Sequence, residues 1–368
     1  MSLSTGELIE RSQLGQLEYI AEGGQGRVYR CLTLQLPDVH HRLAYKEFKA
    51  GQLASGGLEA IVGVRSRLSA PDRDLLDSHA AWPIRLVRDQ GRVVGLLMPL
   101  IPDAFVQVGR SITGSAMRKE REIQFLFLAA NRCAKLGFPL VNLHQRLHLC
   151  EQLARVLALL HTNNVVFGDF NAKNALFSVG PGRADAGIML VDCDAVRVRG
   201  TMSAVPQLNT PDWEPPAAER TQLTSYTDVY KYALFVLRCL SPGTNASTAR
   251  DTRRVTDILD PEGQHLLAAS LSETPGHRPS CAQWAEYFAR LRSARLAGQP
   301  VAPAPGSTAI GTGAAGAGAA GAGAAGAGAA GATPSAPAAT TAAPTTTQGA
   351  QTPSTGGWHR APDGSWIR

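Results

Sequence analysis

The sequence predicts an α+β fold, rich in strands on its N-terminal side and helical beyond, followed by a disordered tail. Three observations carry this expectation. Up to Met98 the apolar residues alternate with a period near two. Beyond Pro102 they recur at spacings of three and four. From Ala297 the composition shifts to Ala, Gly, Pro, Thr and Ser, with four copies of Gly-Ala-Ala-Gly-Ala between Gly313 and Ala332. Such a stretch offers too little apolar surface to offset the entropy of ordering it.

Residues 1–14 read as an N-terminal extension. Residues 17–34 read as a strand, a glycine-rich turn (Ala21, Glu22, Gly23, Gly24, Gln25, Gly26) and a second strand reaching Val28 and beyond. Glycines let a backbone approach a phosphate and adopt positive φ, although a plain hairpin tip uses the same residues. Leu43–Phe48 alternates as a strand with Lys46 at its centre. That lysine is within reach of phosphates held by the turn, or is a solvated residue on a sheet face. Leu58–Leu68 reads as a helix whose first turn holds Glu59, a partner for Lys46 or for the helix dipole. Pro71–Ala80 is a second short helix. Trp82–Val87 and Val93–Leu97 form a strand pair, and Met98-Pro99-Leu100-Ile101-Pro102 makes a stiff crossing out of the sheet.

Leu143, Leu147, Cys150, Leu153, Leu157 and Leu160 mark a long amphipathic helix over Leu140–His161. His144 and His148 lie one turn apart on it, but no third ligand accompanies them. The helix leads into Val165–Leu176, which reads V-V-F-G-D-F-N-A-K-N-A-L. Asp169 and Asn174, on a loop between apolar runs, suit a proton acceptor beside a metal ligand. A buried strand, Ile188–Val191, precedes Asp192-Cys193-Asp194. Val229–Leu240 is apolar nearly all round, hence a central helix with Asp228 at its start. Ser280 is placed to cap a last helix, Cys281–Leu296.

Composition narrows the function classes. Net charge is +6, and Lys and Arg form no run of five or six, so nucleic acid is not an expected partner. The apolar run Val229–Leu240 is about twelve residues, interrupted by Lys231 and Arg238, and too short to span a bilayer. The N-terminus lacks a signal-peptide pattern. The six cysteines are scattered without a C-x-x-C, as expected of buried thiols in a reducing cytoplasm.

Taken in order, the motifs resemble the protein kinase superfamily over roughly residues 15–296. Ala21–Val28 resembles G-x-G-x-x-G-x-V, with Ala21 in place of the first glycine. Leu43-Ala44-Tyr45-Lys46 resembles V-A-I-K, and Phe167–Asn174 resembles H-R-D-L-K-P-E-N. Asp192-Cys193-Asp194 stands where D-F-G is usual, Thr227-Asp228-Val229-Tyr230 resembles S-D-V-W, and Arg278-Pro279-Ser280 resembles R-P-S. G-D-F-N-A-K-N-A-L and V-D-C-D-A look like a divergent bacterial group reading G-D-x-N-x-x-N and D-x-D-S. Its members tend to be encoded beside von Willebrand factor A proteins and metal-dependent phosphatases, which the resemblance suggests as partners.

The resemblance implies a bilobal fold, with an N-lobe at 15–98 and a C-lobe at 103–296. It also implies an ATP-dependent Ser/Thr protein kinase using Mg²⁺ or Mn²⁺; the alternative is a pseudokinase scaffold without turnover. Lys46 would hold the α/β-phosphates and pair with Glu59. Asp169 would accept the substrate proton, and Lys173 would meet the γ-phosphate. Asn174 and Asp192 would carry the metal, with Asp194 as a second or even the main ligand. Asp228 would brace the catalytic loop. Pro99–Ile101 would face adenine behind Met98, and Val28, Ala44, Leu100 and Leu176 join the nucleotide contacts. Gly168 replaces the arginine that reads activation-loop phosphate, so activity is expected without phosphorylation at Thr201, Ser203 or Thr210. Ala217 falls where a glutamate is expected, so Glu214 or Glu219 would pair with Arg278 instead. After a 297–357 linker, the segment 358–368 carries Trp358 and Trp366 about a Pro-Asp-Gly turn, a tethered recognition peptide.

Overall fold

The computed structural model describes residues 7–24, 26–49, 55–110, 116–201, 210–298, 359–360 and 366–367, in two units, Met1–Ala304 and Pro305–Arg368. The first unit is α+β. Its N-terminal region is built on a six-stranded sheet from β1 (Leu8–Glu10), β2 (Leu17–Glu22), β3 (Gly26–Cys31), β4 (Leu43–Phe48), β5 (Arg85–Asp89) and β6 (Arg92–Pro99). The strand order is β1-β5-β6-β4-β3-β2. The β1–β5 pairing is parallel and the other four are antiparallel. The sheet therefore begins at Leu8, inside the stretch read from sequence as an extension ending at residue 14.

Alternation along the strands separates two apolar faces. Leu43, Tyr45 and Leu97 enter a small cluster with Leu14, Cys31, Ile84 and Val87. Leu86 and Leu96 enter the main core, shared with α1 (Ser55–Arg67) and α2 (Ala70–His79). Ser69 caps α2 by accepting from the Asp72 N–H. The two helices are joined through Arg65, whose Nε and Nη2 donate to the two carboxylate oxygens of Asp77 at 2.8 and 2.6 Å. Its Nη1 donates to Asp38 Oδ2 at 2.7 Å, so the guanidinium has no unmet charge although it is buried.

Past the crossing come the hairpin β7 (Val106–Arg110) and β8 (Ala116–Glu120), then α3 (Ala130–Lys135) and α4 (Leu143–Thr162). Asn142 and Gln145 form a capping box at the start of α4. The chain continues through β9 (Val165–Val166), β10 (Ala175–Val179), β11 (Ala186–Leu190) and β12 (Arg197–Val198). It ends with α5 (Ser225–Leu240), α6 (Pro261–Ser270) and α7 (Cys281–Ala297). Every residue of α5 from Thr227 to Leu240 is buried, which makes it the helix the others pack around. Ser280 caps α7 as its position predicts, and Gly298 closes it at φ +67°.

All six cysteines are buried and unpaired. Among the described residues no helix is long and apolar enough to cross a membrane. In the second unit, β13 (His359–Arg360) and β14 (Trp366–Ile367) pair antiparallel, as the Pro-Asp-Gly turn predicts. Trp358 and residues 299–357 of the linker lie outside the described residues.

Candidate active site

The sheet brings one set of sequence candidates to one face by register alone. Ala21 lies opposite Val28, Val28 opposite Lys46 and Lys46 opposite Leu96. Directly paired residues share a face, and Leu96 belongs to the main core. Ala44, two residues from Lys46, pairs with Met98 on that same face. The turn is closed by the Gly23 N–H donating to Gly26 O at 2.8 Å. Gly26 has a structural reason of its own, because a Cβ there would lie 2.1 Å from the Glu47 carbonyl oxygen. Gly24 completes the turn, and Gln25 lies outside the described residues.

Lys46 is 7% exposed, and its partner is not Glu59. Its Nζ donates to both oxygens of Asp194, at 2.7 and 3.0 Å, and lies 4.0 Å from Asp192 Oδ1. Glu59 forms no ion pair among the described residues; α1 starts at Ser55, so Glu59 lies beyond its first turn and the expected dipole role is not met. Burial opposes the lysine charge, but Asp194 and then Asp192 outweigh it and hold the pKa above its ordinary value.

The Asp-Cys-Asp triplet divides its work. Asp194 is buried and both of its oxygens accept from Lys46, so it anchors the lysine, and each oxygen keeps a further lone pair that a metal could use. The Asp192 side chain is 62% exposed. Its backbone sits at φ +55°, a conformation that costs a side-chain-bearing residue roughly 1–3 kcal/mol and concentrates at functional sites. The β10–β11 hairpin carries Asn174 to the same end, where the Val191 N–H donates to Asn174 O at 3.0 Å. Among the described residues no cluster of three His, Cys, Asp or Glu side chains is poised to bind a metal ion.

The Asp169 loop is built from the inside outward. Asp228, fully buried at the start of α5, accepts from the Phe167 and Gly168 N–H groups at 2.8 and 2.7 Å and from His161 Nε2 at 3.0 Å. Gly168 takes φ +75°, which any side chain would strain. Its carbonyl accepts from Lys231 Nζ at 2.6 Å. Asn174 Nδ2 donates to Asp169 Oδ2 at 3.0 Å and Asn171 Nδ2 to Oδ1 at 3.2 Å. Burial pushes the Asp169 pKa up, while Lys231 and the two amides pull it back and Asp192 adds to the rise. A carboxylate with a raised pKa is a better proton acceptor. The Lys173 N–H donates to Asn171 Oδ1 at 2.9 Å, which sets the backbone that bears its ammonium.

In the crossing segment Pro99 has no N–H, and the Leu100 N–H donates to Arg42 O at 2.7 Å, so these two residues could meet adenine only through their carbonyls. Leu176 is fully buried against Phe105 and Met189, with Ile101 beside them. Glu219, not Glu214, is the partner of Arg278, in a buried two-point pair at 2.6 and 2.9 Å. Thr201 Oγ1 donates to Val198 O, and Ser203 lies outside the described residues. His148 spends both ring nitrogens, on Ala184 O and Gln152, and His144 Nε2 meets Arg183.

Two site residues escape a sequence reading: Lys231 and His161. The available signal was a lysine and an arginine inside a helix otherwise apolar all round. No family model and no curated protein matches this chain.

Proposed function

We propose that residues 15–296 form a bilobal, protein-kinase-like domain that transfers the γ-phosphoryl group of ATP to Ser or Thr hydroxyls of protein substrates. The observation that carries this reading is the buried Asp228, which clamps two consecutive N–H groups and presents Asp169 beside Asn174. In the same site Lys46 is held by Asp194 near the exposed Asp192. Asp169 would orient the hydroxyl and accept its proton. Lys46 and Lys173 would hold phosphate oxygens. Asp192 and Asn174 would hold Mg²⁺ or Mn²⁺, which supplies charge neutralisation at those oxygens. The domain would work in the reducing cytoplasm. Proteins with von Willebrand factor A domains and metal-dependent phosphatases are the partners that the resemblance supports.

A second reading, a nucleotide-binding scaffold without turnover, is favoured by one observation. Lys46 donates to both Asp194 oxygens, so phosphate would compete with that carboxylate for the ammonium. Labelled ATP with Mg²⁺ separates the two, using the wild type, Asp169→Asn and Lys46→Met. Label transferred by the wild type and by neither variant supports the kinase. No transfer, together with thermal stabilisation by ATP, replaces it with the scaffold.

A further inference from the structure

We propose that Asn171 is a positioning residue that ties Asp169 to Lys173 through a single amide, so that the two are held in register. The inference rests on the kinase reading and adds to it the residue that would set the proton acceptor against the γ-phosphate contact.

Asn171 stands two residues after Asp169 and two before Lys173, and it is 5% exposed. Its Nδ2 donates to Asp169 Oδ1 at 3.2 Å and to Asp169 O at 3.0 Å. Its Oδ1 accepts from the Lys173 N–H at 2.9 Å. One planar group therefore spans both neighbours. The donor end fixes the carboxylate, and the acceptor end fixes the backbone from which Lys173 extends. A carboxylate at this position would keep the second bond and lose the first, and an alanine loses both.

Asn174 shows the difference. Its Nδ2 donates to Asp169 Oδ2 at 3.0 Å and to Asp169 O at 2.8 Å. Each oxygen of the carboxylate thus holds one amide donor and keeps a further lone pair for a substrate hydroxyl. Asn174 orients the base, whereas Asn171 orients the base and the Lys173 backbone together.

The loop needs a brace of this kind. Residues 167–174 belong to no strand or helix, since β9 ends at Val166 and β10 begins at Ala175. Asp228 holds the entry to the loop through the Phe167 and Gly168 N–H groups. The Val191 N–H holds its exit through Asn174 O. Between them Phe170 is fully buried, its ring 5.5 Å from Trp213 and 6.1 Å from Phe235, which fixes the backbone just before Asn171. From that fixed point the amide reaches back to Asp169 and forward to Lys173. Phosphoryl transfer depends on the placement of base and phosphate contact relative to each other, and a shift of about 1 Å can cost about 100-fold in rate.

The test uses the full chain with Mg²⁺, labelled ATP and casein, and compares the wild type with Asn171→Ala, Lys173→Ala and the double variant. ADP affinity is measured by calorimetry on each. The expected result is kcat lowered about 100-fold in Asn171→Ala with ADP affinity unchanged. Lys173→Ala is expected to cost at least about fivefold less in the Asn171→Ala background than in the wild type. ADP lacks the phosphate that Lys173 would meet, so its affinity reports whether the nucleotide site is still folded. A fall in ADP affinity that matches the fall in kcat assigns Asn171 to folding of the loop and overturns the positioning role. Losses that simply multiply in the double variant overturn it as well. A wild type that labels neither casein nor itself removes the kinase reading, and the link is then read from the preference for ATP over ADP. A preference lost alike in Asn171→Ala and Lys173→Ala keeps the link. Equal binding of both nucleotides by the wild type, or a preference that Asn171→Ala leaves intact, overturns it.

Discussion

Lys231 is the residue on which the Asp169 loop rests. Its ammonium is fully buried and donates to Gly168 O at 2.6 Å. Burial pulls its pKa down, while Asp169 and Asp228 oppose that. Replacing it with Met leaves a buried carbonyl unsatisfied and removes a buried cation that favours the charged forms of Asp169 and Asp228. A hydrogen bond to a charged group contributes about 1.5–3 kcal/mol, so Lys231→Met is expected to lower unfolding stability by that amount, read from denaturant midpoints. A neutral effect would show that the loop holds itself. Sequence reading could name Asp169, Asn174 and Asp228, because each belongs to a motif with its own local spacing. It could not name Lys231, because a lysine in an apolar helix has meaning only once Gly168, more than sixty residues earlier, lies beneath it. The same limit explains Glu59 and Asp194. Both are carboxylates near enough in sequence logic to serve Lys46, and only packing decides that Asp194 does.

At the scale of elements, α4 and α5 are joined at the site through His161 and Asp228, with Nε2 to Oδ2 at 3.0 Å. Burial works against the imidazolium, but the adjoining Cys281 and the Asp228 carboxylate outweigh it and push the His161 pKa up to about 10 from 6.5. A raised pKa places the stabilisation on the acid side. It is fully present below about 6.5, and it is lost as pH rises toward 10. The stability difference between wild type and His161→Gln is therefore expected to shrink steadily across that window in urea titrations at fixed pH. A difference that grows with pH would reverse the assignment. Elements with a strong period were legible: α4, α5, α7 and the strands from β2 to β6 lie within a few residues of where periodicity puts them. The hairpin β7–β8 and helix α6 were not. Val106 is buried but Val108, two residues on, is 68% exposed, so the alternation that marks a strand is not sustained. Helix α6 contains Gly263, whose missing side chain leaves room for the Tyr287 hydroxyl, which would lie 2.1 Å from a Cβ; a glycine chosen for packing weakens the helical signal.

For the whole molecule, the three apolar clusters among the described residues draw on residues from Leu8 to Leu291. A chain ending at Ala304, the last residue of the first unit, is expected to keep its thermal midpoint within about 2 °C, since a change under ~0.5 kcal/mol moves a domain of this size by no more than that. A larger fall in scanning calorimetry would make the tail part of the folded unit. The sequence by itself determined the α+β class, the order of the strands and helices, the break in composition at Ala297 and the loop that carries Asp169 and Asn174. These are local properties, written in periodicity, caps and short spacings. Only the tertiary structure decided that β1 pairs in parallel with β5, that Lys46 closes on Asp194 while Asp192 stays exposed, and that Glu219 meets Arg278. It alone set Lys231 beneath the loop. Each of these pairings joins residues far apart along the chain, and a charge declares its partner only when burial removes the water that would otherwise serve every candidate equally.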